Sequence, residues 1–291
     1  MTMSTDRELA PTAATTEGRV VQMRGGAARP GLSRLAWSPV LRGAIGALLV
    51  FGLCEIVTRS EPVSREFLPY ASDMLRRVPG LLVDSEFLSS AGATMLAASL
   101  ALLIATGVAV PLGVALGSSE IAYRISRMMI ELLRPIPSVT LIPLLVLLVG
   151  PELEMKVFIA TYAALWPILF NTIYSMHDVD PVSKDTARAF GLSRWNVLVR
   201  VSLPSAAPLM ATGVRVSAGI SLMVVISAEI LTGGSPGIGS FIKVSSAGIG
   251  QAPTTFAAAI IAGVIGFLIN AAFQGAEGKF FAWSSRERRA A

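Results

Sequence analysis

His177 and Cys54 are the only histidine and the only cysteine in 291 residues, so the side chains that most often do covalent chemistry are nearly absent. One imidazole and one thiol make neither a Cys/His metal cluster nor a disulfide framework, and the scattered carboxylates add no catalytic set at a single depth. Cys54 follows Phe51-Gly52-Leu53, where a lipoprotein cleavage site would want small residues, so it reads as a buried thiol. The chemistry that remains belongs to charges within apolar runs. Arg215 and Glu229 share one run and are fourteen residues apart, near four helical turns, which puts them on one face about 21 Å apart. They cannot pair with each other, and each is within snorkelling reach of its own interface. Two readings are open: the inner and outer ends of a gated passage, or rim charges that anchor a helix. Ser217, Ser221 and Ser227 could offer hydroxyls to a polar solute, although serine in such a helix more often bonds its own backbone.

Those positions need a bilayer, and the composition supplies one. The chain is 53% hydrophobic and 15% charged, with a mean hydropathy of +0.65. Soluble domains carry about a quarter charged residues, so the deficit marks a polytopic membrane protein. The net charge of +5 does not indicate nucleic acid, because the basic residues sit between apolar spans and report topology. Residues 1–38 lack periodicity and read as a disordered, Arg-bearing cytoplasmic tail without a secretory signal.

Six spans follow from the apolar runs, at 40–57, 87–116, 137–150, 156–176, 206–231 and 253–274, with both termini cytoplasmic. Most of the 24 basic residues then fall on the inner side, in keeping with that topology. Between the first two spans, Arg65, Arg76 and Arg77 alternate with Leu68, Met74, Leu75 and Leu81, as in an amphipathic helix on the outer surface or a solvated loop. Ala97, Ala101 and Ala105 make a small-residue stripe along the second span, and Pro111 should bend it. Residues 118–127 read as a short inner loop. Arg134-Pro135-Ile136-Pro137 should then break the third span, leaving about 14 residues or ~21 Å. A broken span is tolerated where freed backbone groups meet protein or a water-filled cavity, so this one either lines a pathway or is a kinked packing helix. The Gly-rich stretch 232–252 resembles a phosphate cradle but lacks the Gly-Lys-Ser/Thr ending, and reads as a flexible outer hairpin. No Walker A sequence occurs, so any ATP must be bound by another chain.

The longest polar stretch between apolar runs is 177–204. Asp180 can cap a helix that opens on Pro181 and runs to about Phe190, and Gly191 supplies the left-handed residue that ends it. Ser193 can cap a second short helix, 194–201, which Leu203-Pro204 should stop. The result is a compact elbow with a small-sided flank of Thr186, Ala187 and Ala189.

This stretch resembles the cytoplasmic Glu-Ala-Ala loop of inner-membrane permeases of bacterial ABC importers. The family pattern falls on Asp185-Thr186-Ala187, Gly191 and Leu203-Pro204, with Asp185 keeping the charge of Glu and Thr186 adding bulk. RPIPSVTLIPLLVLLVG, WPILFNT and SAEILTGGSPGIG extend the likeness to the nitrate/sulfonate/taurine branch. The resemblance implies an all-α permease of six spans, with its first span and outer segment at 39–84, the permease core over 85–278 and a basic tail at 279–291. It further implies a coupling loop of Asp185, Thr186, Ala187, Arg188, Ala189, Phe190, Gly191, Leu203 and Pro204, which seats in a cytoplasmic ATPase. Two ATPase subunits holding ATP and Mg, an extracytoplasmic solute-binding protein and a second permease copy are the implied partners, with no cofactor or metal on this chain. Phe190 or Trp195 would anchor the elbow, either in the ATPase socket or, preferentially, against the chain's own membrane domain. Arg134, Pro135, Pro137, Arg215, Ser217, Ser221 and Glu229 are the candidates for the pathway. A small anionic or organic solute is expected, a sulfonate or nitrate before a pyrimidine vitamin precursor. An ATPase-independent carrier or channel is the second hypothesis, and a membrane enzyme the third.

Overall fold

The computed structural model describes residues 39–60 and 68–281. The expected N-terminal tail at 1–38, Arg65 and residues 282–291 lie outside the described residues. The chain divides into two units, Met1–Leu48 and Leu49–Ala291. Of the first, only the opening turns of α1 (Pro39–Arg59) are described. The rest of α1 begins the second unit, with Leu49, Val50, Leu53 and Ile56 exposed and Cys54 half-buried where a buried thiol was expected.

The centre of the second unit is three long helices, α3 (Ser85–Ser118), α6 (Leu153–His177) and α9 (Leu203–Thr232). Small residues let them approach closely. Ala97, Ala101, Ala105 and Ala109 of α3 are completely buried, so the expected alanine stripe is real and longer than read. It continues to Gly113, where an added Cβ would stand 2.6 Å from Thr172 Cβ of α6, and on α9 Gly213 would meet Asn171 Cβ at 2.8 Å. Close backbones also permit hydrogen bonds across helices: Ser217 donates to the Ala164 carbonyl at 2.7 Å and Thr161 to that of Ala101 at 3.3 Å. α3 starts at Asp84, whose carboxylate accepts from the Glu86 and Phe87 amides, and it runs unbroken through Pro111.

Around this centre, α2 (Ala71–Leu81) realises the expected amphipathic helix, burying Ala71, Met74 and Leu81 and packing against the last helix. The inner loop expected at 118–127 is instead the start of α4 (Glu120–Leu133). Ser119 caps it, and the Glu120–Arg124 and Arg127–Glu131 pairs stabilise the polar face at i,i+4 spacing, which is why so charged a segment stays helical. The break at Arg134 to Pro137 bends the chain by 70° into a 3₁₀ turn (Ser138–Leu141) and α5 (Ile142–Val149). Tyr162 hydroxyl donates to the Leu133 carbonyl at 2.7 Å, alongside the Ile136 amide at 3.3 Å, and the Arg134 guanidinium lies 4.7 Å from the Phe170 ring centre.

The elbow comprises α7 (Pro181–Ala189) and α8 (Arg194–Val197). Leu203-Pro204 does not stop the second helix, contrary to expectation. A π turn (Leu198–Ser202) carries it directly into α9, with the Leu203 amide bonding to the Leu198 carbonyl. Widening the turn makes room for the ring of Pro204, which would otherwise strike the carbonyl four residues back. Beyond α9 come α10 (Ile238–Ala247) and α11 (Ala252–Phe280). Among the described residues, four helices are long and apolar enough to cross a membrane, or five counting the bent pair. The expected first span falls within α1, so these criteria stop short of the expected six.

Candidate functional site

Two constellations stand out, one at each end of the helical core. The first is the elbow. Asp180 carboxylate accepts from the Val182 amide at 3.0 Å and the Ser183 amide at 3.2 Å, and Pro181 opens the helix as expected. Gly191 takes φ 81°, the left-handed value that ends α7, and Leu192 and Gly191 amides bond back to Ala187 and Arg188 carbonyls. Ser193 Oγ accepts from the Asn196 amide at 3.3 Å. Arg188 pairs with Asp185 at 2.9 Å. Thr186 and Ala189 are exposed and Ala187 is half-buried. Phe190 and Trp195 are 82% and 70% exposed. The expectation that they bury against the chain's own membrane domain is therefore corrected: Phe190 caps α7 at the exposed Gly191 turn, and Trp195 faces the core only across an open cavity.

The backbone amide of Val182 and the Ser183 hydroxyl hold the Asp180 carboxyl below its ordinary 3.8. A depressed folded-state value means the cap is at full strength above pH 3.8 and is lost as pH falls through the lower value. Amide exchange at Val182 and Ser183, taken relative to the intrinsic rate, is expected to quicken only in that acid window. Asp180→Ala should show the same loss of protection at neutral pH.

The second constellation gathers around Glu229, which is fully buried within the chain. Its side chain is 0% exposed and that of Lys156 is 3%, with Lys156 Nζ 3.1 Å from Glu229 Oε1. The Thr94 hydroxyl donates to the same carboxylate at 2.9 Å, and the Gly239 amide donates at 3.0 Å. Thr94 Oγ1 also accepts from the Ile238 amide at 2.9 Å, and Lys156 donates to the Pro236 carbonyl at 2.7 Å. Side chains from α3 and α9 thus satisfy the first two orphan amides of α10. Gly237 and Gly239 are required here: a Cβ on the former would enter the Glu229 carboxylate, and one on the latter would strike the Ile226 carbonyl oxygen. The stretch expected to be a flexible hairpin is therefore a pinned loop leading into a helix. Glu229 thus stands in a buried ion pair whose cation, Lys156, the sequence reading did not single out. Lys156 opens one apolar run and Glu229 closes another, and the shared depth this implies was the available signal.

The other pathway candidates separate. Arg215 meets Glu277 of α11 at 3.5 Å, an ion pair too long for a hydrogen bond, and Glu277 Oε1 has no donor among the described residues. Ser217 and Ser221 are buried with their protons committed to the Ala164 and Ala218 carbonyls, and Ser227 bonds Met223. Arg134, Pro135 and Pro137 form an exposed corner of the chain. The structure does not bring these residues together. Among the described residues no cluster of His, Cys, Asp or Glu could hold a metal.

Helices of this length and apolarity define an all-α, multi-pass membrane protein. The chain belongs to the family described as binding-protein-dependent transport system inner membrane component, which matches residues 107–279, more than half its length. Such proteins are permease subunits of ABC importers and are not themselves catalytic; as a class they work with ATPase and solute-binding partners. The taurine transport system permease protein of Escherichia coli (strain K12) is 28% identical over 260 residues, covering 86% of this chain and 94% of that one. The nitrate import permease protein of Leptolyngbya laminosa is 29% identical over 169 residues, covering 58% of this chain and 60% of that one. A crystal structure of an amino acid ABC transporter with histidines shares the fold, with a TM-score of 0.53 and 16% identity over 72% of this chain and 96% of that chain.

Proposed function

We propose that this chain passes a small anion, a sulfonate such as taurine or else nitrate, from an extracytoplasmic binding protein into the cytoplasm. A pyrimidine vitamin precursor is the alternative solute. Two copies of the permease form the pathway, and two ATPase subunits holding ATP and Mg drive it through the elbow, with both termini on the cytoplasmic side. The elbow carries this reading. It is capped at both helices, turned at Gly191, and presents Phe190 and Trp195 as apolar projections that its own fold leaves uncovered. Such a body can seat in a socket and transmit force, where a floppy linker would absorb it. The charges favour the same mechanism over a gradient-driven carrier. Such a carrier needs an unpaired titratable group at depth, whereas Glu229 is neutralised by Lys156 and Arg215 faces Glu277.

Ala187→Asp puts a charge on the close-approach flank of α7. Reconstituted with the ATPase and binding protein, this variant is expected to insert normally but to lose ATP-driven uptake and ATPase co-purification. Wild-type uptake by that variant, or uptake driven by an ion gradient without ATPase, would refute the coupling role.

A further inference from the structure

Between the elbow and the ends of the core helices lies a cavity of about 390 Å³. α7 contributes Lys184 and Arg188, α8 contributes Arg194, and no carboxylate is among the lining residues. Lys184 Nζ touches the Met176 carbonyl at 3.2 Å and Arg188 shares Asp185, but Arg194 has no acidic partner among the described residues. Ser202 adds a neutral donor to these cations. It is 4% exposed and lines the cavity, and its hydroxyl has no hydrogen-bond partner among the described residues. The cavity is open on one side, and this hydroxyl stands beside the cations as a donor that an entering oxyanion can engage.

We propose that this cavity binds a phosphate or sulfonate group. Three cations and a hydroxyl on different elements offer more donors than the two oxygens of a carboxylate can accept, and they match a tetrahedral oxyanion. The volume exceeds that of a bare anion, and Trp195 and Leu198 give an apolar wall for an organic substituent. Two sources share this chemistry, the headgroup of an anionic phospholipid and a free sulfonate or phosphate on the inner side. α3 spans about 51 Å at helical rise against roughly 30 Å of hydrocarbon, so its last residues, which line the cavity, can stand at headgroup level. The site also has walls on both the elbow and the ends of α3 and α6, at Gly117 and Met176. A bound oxyanion therefore ties the elbow to the core. That consequence rests on the coupling role proposed above, whereas the binding itself does not.

The test needs neither ATP nor transport, so its failure is separate from failure of the importer reading. Purified full-length protein in detergent is titrated with inorganic phosphate and with ethanesulfonate against chloride at equal ionic strength, following thermal stability. In parallel, protein from vesicles of phosphatidylcholine with or without phosphatidylglycerol is examined by native mass spectrometry for retained lipid. A saturable anion-specific shift assigns a free oxyanion, and retained phosphatidylglycerol assigns a headgroup. In either case Arg194→Gln is expected to weaken binding roughly tenfold, the loss of one charge-assisted hydrogen bond. Ser202→Ala, which leaves every charge in place, should weaken it less but measurably. No preference for phosphate, ethanesulfonate or phosphatidylglycerol over the controls overturns the proposal. So does binding that neither variant alters.

Discussion

Replacing Lys156 by methionine is expected to destabilise the protein by about 3–5 kcal/mol, the usual penalty for leaving one member of a buried ion pair alone. The side chains of Lys156 and Glu229 are 3% and 0% exposed, so no water is at hand to solvate the carboxylate once its cation is gone. The loss reaches beyond one pair, because the Pro236 carbonyl loses its donor as well. The double variant Lys156→Met with Glu229→Gln should recover about half of that loss, since it removes the orphaned charge yet keeps an acceptor for Thr94 and Gly239. Thermal unfolding of the purified variants in one detergent measures both. Equal stability of the single and double variants would show that the charge is not what matters at this position.

The second large effect is expected at Gly239. An alanine Cβ there would strike the Ile226 carbonyl oxygen and lie 2.7 Å from Glu229 Cβ and 2.9 Å from the Ile230 amide nitrogen. All three neighbours belong to α9, and two are backbone atoms that no rotamer change can move. Overpacking of this kind costs about 1–3 kcal/mol, and here it also pulls the Gly239 amide off the carboxylate. Gly239→Ala is thus expected to lower the melting temperature and to expose the α9–α10 loop to proteolysis. Gly263→Ala, with open space around its Cβ position, is the control and should do neither.

What could be read from the sequence and what could not divide along the distance between partners. The elbow was legible because its determinants are local. Asp180 bonds amides two and three residues on, Gly191 needs only its own φ, and Ser193 reaches Asn196. The alanine stripe was legible because its period matches the helix. The Glu229 cluster was not, since Lys156 is 73 residues away and Thr94 is 135. Glycines at 237 and 239 read as flexibility, yet their purpose is close approach to a carboxylate, a distinction that requires the third dimension. Residues 118–127 misled through polarity alone, because the acidic and basic residues that suggested a loop are the ones that pair along α4. The stop at Pro204 failed for another reason: the π turn that precedes it widens the helix enough to absorb its ring.

The uninterrupted passage from α8 through the π turn has a mechanical corollary. Arg194–Thr232 forms one helical rod of 39 residues, about 58 Å long at helical rise. With no break along it, a load placed on the Trp195 end has a continuous helical path to the Glu229 end.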